Sequence, residues 1–271
     1  MAFGSSGQFR AWRDGIKDEL YFWRQWVATE GLEWPDEYSR RFDDQRPLDE
    51  LLQGIVRQQR LSTVSILDVG AGPVTVLGAR MPGVSVELLP TDPLARGYAR
   101  ILREHGKVPP IETAFAVGED LTSFVGCERF DIVHCRNALD HSLDPMAAIL
   151  EMLRAAKTGG IVLLRHYRNE AETESYEGFH QHNFDVVDGR LVLWNKESRI
   201  DVAASVPFDL EIHSSMVREG KVDWITSTMR RVGKIAEPAG DAQARQRIRR
   251  ILTDMMDLFV DDAFSYMARG A

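Results

Sequence analysis

Residues 65–78 read SILDVGAGPVTVLG, and this stretch decides the fold. An apolar run ends at Asp68, and the loop that follows carries Gly70 and Gly72. Glycines at the end of a buried strand let the backbone approach a ligand closely. A dinucleotide-binding fingerprint would need a third glycine at position 75, which is Thr75. The stretch therefore predicts a strand and a ligand-binding loop, but not the dinucleotide motif.

The composition is that of an ordinary globular protein. The chain has 271 residues, of which 44% are hydrophobic and 27% charged, enough for one large domain with appendages. The net charge of −8 argues against a nucleic-acid partner. Cys127 and Cys135 form no CxxC pair, which favours a reducing cytoplasm over a disulfide scaffold. Neither a signal peptide nor a membrane-spanning segment is predicted.

Strand-like and helix-like segments alternate after residue 60. Strands are predicted at 64–69, 84–90, 111–117, 130–137 and 161–167, with helices at 74–81, 93–106 and 144–160. A hairpin turning at Asp188-Gly189, a further helix at 196–206 and an antiparallel pair at 208–232 follow. We therefore predict an α/β fold with a Rossmann-like, doubly wound mixed sheet of seven strands, the last one antiparallel.

Five short motifs occur in order along this sheet. They are LDVGAG (67–72), LLPTDP (88–93), AVGEDL (116–121), FDIVHCRNALDHSLDP (130–145) and AAKTGGIVLL (155–164). Together they resemble the motifs of class I S-adenosylmethionine-dependent methyltransferases of the small-molecule type. Pro73 and Val74 depart from the family, in which many members have another glycine there.

The resemblance implies S-adenosyl-L-methionine as cofactor and assigns residues to its parts. Asp68, Gly70 and Gly72 would frame the methionine half. Asp92 would accept from the ribose hydroxyls, with Glu87 as a competing ligand. The remaining candidates are Glu119 or Asp120 for the adenine amine and Asn137 in the loop after the fourth strand, where bracing of the loop is the alternative.

Methyl transfer from a sulfonium is an in-line displacement in which positioning is the main task of the enzyme. A base is needed only if the acceptor must lose a proton, and histidine is the usual choice. The candidates are His141, His166, His180 and His182, of which His141 and His180 are predicted to be catalytic. No metal is predicted; a His180–His182 pair with Glu170 or Glu172 is the alternative.

The predicted organisation follows from these assignments. It comprises an N-terminal helical extension or lid (1–60), the methyltransferase domain (61–235) with an inserted loop and hairpin (168–195), and a C-terminal helix (236–271). Trp23, Trp26 and Trp34 are expected in the core, although Tyr21, Phe22 and Trp26 as a lid is the alternative.

The predicted function is methyl transfer to an oxygen or nitrogen atom of a small-molecule acceptor in the cytoplasm. The apolar stripe of the C-terminal helix could form a homodimer. Two alternatives remain: a non-catalytic protein that binds the cofactor or a partner through the same fold, and a nucleotide-dependent oxidoreductase.

Overall fold

The computed structural model describes the backbone of residues 6–207, 209–233 and 241–269, and the side chains of these ranges except for 6–8 and 241–251. The predicted boundary between residues 235 and 236 lies outside the described residues. Within the described ranges, no helix is both long and apolar enough to cross a membrane.

The strands form one large sheet and one small sheet. They are β1 (Thr63–Val69), β2 (Ser85–Asp92), β3 (Ala114–Phe115), β4 (Phe130–Arg136), β5 (Ala156–Tyr167), β6 (Asn183–Val187), β7 (Arg190–Trp194), β8 (Arg199–Asp201), β9 (Leu210–Glu219) and β10 (Val222–Arg231). The large sheet has seven strands in the order β3-β2-β1-β4-β5-β10-β9, and β10 pairs antiparallel with both neighbours. The predicted mixed, doubly wound sheet is thereby confirmed. The small sheet has the order β6-β7-β8.

The helices cover both faces and one end of the large sheet. They are α1 (Ser6–Ala28), α2 (Pro35–Arg41), α3 (Glu50–Gln58), α4 (Ala95–Glu104), α5 (Thr122–Val125), α6 (Pro145–Ala155), α7 (Glu170–Thr173), α8 (Val202–Ser205) and α9 (Asp241–Arg269). Two short 3-10 turns occur at Gly118–Asp120 and Leu139–His141. The start of α6 has a local cause, because the Asp144 side chain accepts a hydrogen bond from the Ala147 N–H at 3.0 Å and Pro145 occupies the first turn.

Helices α1, α4 and α9 pack together as one apolar cluster. Ile16 and Leu20 of α1 are fully buried, as are Ile101 of α4 and Ala263 of α9. The N-terminal segment is therefore part of the core, and Trp26 belongs to that core as expected. Trp34 is 51% exposed, so the expectation that it is buried is wrong.

The C-terminal helix buries much of its apolar stripe within the chain itself. Leu252 and Met256 are buried against the N-terminal helices, whereas Leu258 is 66% exposed. A homodimer through this stripe would thus have only the exposed remainder available. Ile248 and Ile251 of the same stripe are outside the described side chains.

The predicted helix at 74–81 is wrong: the segment is irregular and ordered by distant contacts. The Leu77 N–H donates to Thr75 Oγ1 at 3.0 Å, and Pro47 forms a β-bridge with Arg80. A Cβ at Gly78 would lie 2.2 Å from the Pro47 carbonyl oxygen, so the two chain segments touch directly. Contacts with residues 46–47, rather than local hydrogen bonds, give this segment its shape.

Three further boundaries differ from prediction. Helix α6 ends at Ala155 and β5 starts at Ala156, so the Gly159-Gly160 pair lies inside a strand instead of ending a helix. The predicted strand at 111–117 contains only the two residues of β3. The predicted helix at 196–206 is strand β8 followed by the four-residue α8. The hairpin at Asp188-Gly189 is confirmed, and both residues have positive φ.

Candidate active site

The glycine loop lies at the carboxyl end of β1, where two neighbouring elements crowd it. Gly70 has φ 71°, and a Cβ there would lie 2.3 Å from the Cβ of Ala138. Gly72 has φ 68°, and a Cβ there would lie 3.1 Å from Cζ2 of Trp23. Both positions therefore combine a left-handed backbone conformation with a close neighbour. Glycine is the residue that satisfies both conditions, because it has no Cβ.

Asp68 fixes the base of this loop. Its carboxylate accepts from Thr75 Oγ1 at 2.5 Å and contacts His134 Nδ1 at 2.7 Å. Both Asp68 and His134 are almost fully buried. The carboxylate thus holds the loop residue Thr75 and the neighbouring strand β4 together beneath the glycines.

Asp92 ends β2 and faces the same loop. Its carboxylate accepts from the Leu94 N–H at 2.8 Å and from the Gly72 N–H at 3.1 Å. Burial raises the pKa of Asp92 to about 7, although these two backbone bonds oppose the rise. The competing candidate, Glu87, is exposed in the middle of β2 and does not line the cavity described below.

Glu119 and Asp120 occupy the 3-10 turn after β3. Glu119 accepts from the backbone N–H groups of Leu143 and Asp144 at 2.9 and 3.2 Å, and burial raises its pKa to about 7. Asp120 accepts from Ser123 Oγ at 2.8 Å. Of the two, only Glu119 is among the described residues that line the cavity.

Asn137 follows β4 with φ 52°, and its side chain braces the loop. Bracing was the alternative to cofactor binding in the sequence analysis. Its Oδ1 accepts from the Tyr167 N–H at 3.0 Å, and its Nδ2 donates to Glu170 Oε1 at 3.1 Å. Burial and the nearby charge of Asp140 raise the pKa of Glu170 to about 8. Asn137 therefore connects the ends of β4 and β5 with the inserted segment.

Two of the predicted histidines meet at a carboxylate. His180 Nδ1 lies 2.8 Å from Asp140 Oδ2, and His141 Nε2 lies 3.3 Å from both of these atoms. Burial alone would lower the pKa of His180, but the hydrogen bond and charge of Asp140 raise it to about 9. Burial would likewise raise the pKa of Asp140, yet the positive charges of His141 and His180 lower it to about 2.

The other two candidate histidines are placed differently. His166 and His182 are buried, and burial lowers the pKa of each to about 4. The His166 ring stacks on Phe184 with centroids 4.4 Å apart. Neither side chain is among the described residues that line the cavity.

A single cavity of about 520 Å³ joins these groups. The predicted residues on its wall are Asp68, Gly70, Gly72, Asp92, Glu119, Asn137, His141 and His180. Helix α1 covers it with Trp12, Glu19, Phe22 and Trp23, and α9 adds Leu252 and Met256. The cavity has the size of a small-molecule pocket, and most of the predicted site residues face it.

Sequence reasoning missed three residues of this site: Arg41 and Arg136 line the cavity, and Asp140 is buried in contact with His141 and His180. Asp140 adjoins His141 in the sequence, and that adjacency was the available signal. Arg41 donates to the Val74 carbonyl at 2.9 Å and stacks over Trp23, whereas Arg136 stacks over Trp224 at 4.9 Å. The positions of these two arginines depend on contacts across the fold that no local pattern reveals.

Comparisons with known proteins identify the central part of the chain. A family described as a methyltransferase domain matches residues 67–164. None of the curated proteins compared with the chain matches it. Three solved structures with a similar fold each have low sequence identity to this chain.

The first is a putative methyltransferase from Haloferax volcanii, determined in complex with the Trm112 methyltransferase activator, with 13% identity and a TM-score of 0.46 over 82% of this chain and 100% of that one. The second is YcgJ from Bacillus subtilis, with 13% identity and a TM-score of 0.37 over 68% of this chain and 98% of that one. The third is the 16S rRNA N2 G1207 methyltransferase of T. thermophilus in complex with AdoMet and guanosine, with 17% identity and a TM-score of 0.35 over 65% of this chain and 36% of that one. Likenesses this distant do not indicate what the chain acts on.

The matched residues run from the end of β1 to β5 and include the glycine loop and the acidic end of β2. The cradle fits an adenosyl cofactor, since side chains are absent where the backbone must be approached and a carboxylate lies where a vicinal diol can donate. Residues 67–164 thus match a methyltransferase domain, and S-adenosylmethionine is the cofactor that their cradle fits.

Proposed function

We propose that the chain transfers the methyl group of S-adenosylmethionine to an oxygen or nitrogen atom of a small-molecule acceptor. The observation that carries this proposal is the continuity of one cavity, which runs from the glycine loop and Asp92 to His141 and His180. A cofactor held at the first end would thus share one cavity with polar side chains at the second. S-adenosylmethionine supplies the activated methyl group when it is bound.

The cofactor half of the cavity is assigned to the residues around the strand ends. We expect the Asp92 carboxylate to accept from the ribose hydroxyls and Glu119 to lie beside the adenine. We expect the methionine half to lie against the backbone of Gly70 and Gly72, which line the cavity, with Asn137 at its edge. Asp68 acts through Thr75 and is a positioning residue, because its two carboxylate oxygens contact the side chains of Thr75 in the loop and His134 in β4.

The acceptor half supports attack by a heteroatom that must lose a proton. His141 and His180 both line the cavity, and Asp140 holds them at hydrogen-bond distance from each other. We propose that the imidazole of His141 accepts the proton of the acceptor as the methyl group is transferred, while His180, whose raised pKa keeps it protonated near neutral pH, stays paired with Asp140. Asp140 orients them and is a positioning residue.

A small acceptor fits the enclosure of this site better than a polymer. The aromatic side chains of α1, the inserted segment with Phe179, and the α9 residues surround the cavity on several sides. A chain of net charge −8 also repels the phosphate backbone of nucleic acids. Exclusion of water by these elements favours transfer to the acceptor over competing reactions.

Calorimetric titration with S-adenosylhomocysteine tests the cofactor half. We expect one molecule bound per chain and a loss of affinity of about tenfold or more in Asp92→Asn, since the amide cannot accept from both hydroxyls. Exposed Asp36→Asn is the matched control and should bind as the wild type does.

Incubation with labelled S-adenosylmethionine and fractionated metabolite pools tests the acceptor half. Label in a small-molecule fraction that disappears in a His141→Ala, His180→Ala double variant would support the proposal. Cofactor binding with label only in RNA or protein fractions, or in none, would contradict the assignment of a small-molecule acceptor. Absence of cofactor binding would contradict the placement of the site as a whole.

A further inference from the structure

Two histidines on the cavity wall, His141 and His180, and the buried Asp140 bring their ligand atoms to a common point. Asp140 Oδ2, His141 Nε2 and His180 Nδ1 form a triangle with edges of 2.8, 3.3 and 3.3 Å. We call these three residues the Asp-His-His cluster. Within the described part of the chain, they are the His, Cys, Asp and Glu side chains that come close enough to share an ion.

We infer that the Asp-His-His cluster binds a divalent transition-metal ion, with Zn²⁺ as the best match. Zinc bonds of about 2.0–2.2 Å to nitrogen and oxygen place the ligands of a tetrahedral site about 3.3 Å apart. Two edges of the triangle have that length, and a small movement of one ring would lengthen the third to match. Two imidazoles and one carboxylate are also a ligand set that zinc uses in catalytic sites.

The polar atoms around the cluster indicate a binding partner beyond the protein. Asp140 Oδ1 and both ring nitrogens of His166 are buried and have no hydrogen-bond partner among the described residues, and Asp140 and His166 are each 1% exposed. Glu170 Oε2 is in the same condition. Buried polar groups are costly to leave unpaired, so this concentration of them beside one carboxylate favours a site for an ion and its bound water.

The protein holds the cluster in place from outside. Trp12 Nε1 donates to the His141 carbonyl at 3.0 Å, and the Gln181 N–H donates to the Asp140 carbonyl at 3.3 Å. The His141 ring packs on Phe179 with centroids 5.4 Å apart. The two hydrogen bonds hold the backbone of Asp140 and His141, and the ring contact restricts the His141 imidazole, so the ligand atoms can converge without a large rearrangement on binding.

The site would have an open position toward the acceptor. His141 and His180 line the cavity, as do the neighbouring Asn137 and Glu170. Three protein ligands leave the fourth position of a tetrahedral ion free for water or for an acceptor oxygen. The inferred acceptor is therefore a small molecule with a hydroxyl or similar group able to coordinate a metal, and this refinement of the acceptor rests on the proposed function.

The metal and the proton compete for the same lone pairs. In the metal-free state, the imidazole of His141 is available as a proton acceptor, as proposed above. In the metal-bound state, the ion would instead lower the pKa of the coordinated hydroxyl, as a Lewis acid does for bound water. The two states belong to one site and differ in which agent activates the acceptor.

Metal titration of the chelator-treated full chain tests this inference. We expect calorimetry with ZnCl₂ to give one ion per chain, and CoCl₂ to give the visible absorption of tetrahedral cobalt. His180→Ala and His141→Ala should each weaken Zn²⁺ binding by at least about tenfold. His213→Ala is the matched control, because His213 is exposed on β9 and should leave binding unchanged.

Each outcome bears on the inference separately from the proposed function. Binding of less than one ion, or equal affinity in the His141→Ala, His180→Ala double variant and the wild type, would overturn it. S-adenosylhomocysteine titration of the same variants reports their folding, because the cofactor half contains neither histidine. Cofactor binding without zinc binding therefore defeats the metal site alone, whereas zinc binding without cofactor binding defeats the proposed function alone.

Discussion

Gly70 is the residue at which backbone conformation and close packing meet. Its φ of 71° is unfavourable for any side chain, and the Cβ of Ala138 stands where a new Cβ would be. The left-handed conformation costs about 1–2 kcal/mol for a residue with a Cβ. Forced overlap in a packed region adds about 1–3 kcal/mol.

Gly70→Ala should therefore lower the free energy of unfolding by about 2–5 kcal/mol, as measured by urea denaturation. Gly83→Ala is the matched control, because Gly83 has a similar φ of 73° but a Cβ there would meet no other atom within 4 Å. It should lose only the conformational part, about 1–2 kcal/mol. Equal losses in the two variants would show that Ala138 yields without cost.

The motif type of the glycine loop could be predicted from its residues, but the side-chain contacts around the loop could not. The absence of a glycine at Thr75 correctly excluded the dinucleotide fingerprint. The same residue donates its hydroxyl to Asp68, a contact that follows from the shape of the loop rather than from any motif. Likewise, the adjacency of Asp140 and His141 was visible, whereas the arrival of His180 at 2.8 Å from Asp140 depends on how the insertion folds back.

At the scale of elements, α1 is the feature whose role the structure defines most clearly. Its inner face is buried against α4 and α9, and the Leu20 Cδ2 atom would lie 2.7 Å from a Cβ placed on Gly97 of α4. Its neighbour Tyr21 is 55% exposed. We therefore expect α1 to act as a fixed wall of the cavity, which it lines with Trp12, Glu19, Phe22 and Trp23.

Leu20→Ala should lower the free energy of unfolding by about 2–5 kcal/mol, because it deletes buried methyl groups at the contact between α1 and α4. Tyr21→Ala, one position along the same helix, should change it by no more than about 0.5 kcal/mol. Chemical denaturation of both variants makes the comparison. If Leu20→Ala proved as mild as Tyr21→Ala, α1 would have to be described as a detachable lid.

Elements were predicted well where their signals are local. The start of α6 follows from Asp144 and Pro145, and the β6–β7 hairpin from Asp188-Gly189. The helix predicted at 74–81 was wrong because the apolar pattern of this segment suits a helix, whereas contact with residues 46–47 determines its conformation. The predicted end of α6 was wrong because Gly159 and Gly160 were interpreted as the stop signal of the helix. The helix ends earlier, at Ala155, and both glycines lie in β5.

For the whole molecule, burial of two carboxyl groups beside the cofactor half links stability to pH. The pKa values of Asp92 and Glu119 are both raised to about 7, so the folded chain keeps these protons at pH values where the unfolded chain has lost them. Their contribution to stability is complete below about pH 4 and is lost as the pH rises to about 7.

We therefore expect the free energy of unfolding of the cofactor-free chain to fall less steeply between about pH 5 and pH 7 in Asp92→Asn than in the wild type. Urea denaturation at several pH values measures this difference. Asp36→Asn, which changes an exposed carboxylate, should run parallel to the wild type. Identical slopes in Asp92→Asn and the wild type would contradict the raised pKa of Asp92.

The parallel part of the large sheet could be predicted from the alternation of strands and helices, since parallel strands need helical crossovers, and its mixed character from the antiparallel pair at 208–232. The enclosure of the cavity could not, because it is built by α1, by the inserted segment and by α9, which lie far apart in the sequence. Their meeting depends on the apolar faces that α1 and α9 present to each other and to α4, so it is a property of packing at long range.

The contacts of Asp68 with Thr75 and His134 have a consequence for the rate at which the cofactor binds. A loop tethered from two sides has already given up its conformational freedom when the chain folds, so little entropy remains to be lost on encounter. The cofactor would then enter a recess whose shape is set in advance. Removal of the Thr75 hydroxyl would turn this into a recess that has to be ordered by its occupant, and the change would be felt as slower association although no direct contact had been deleted.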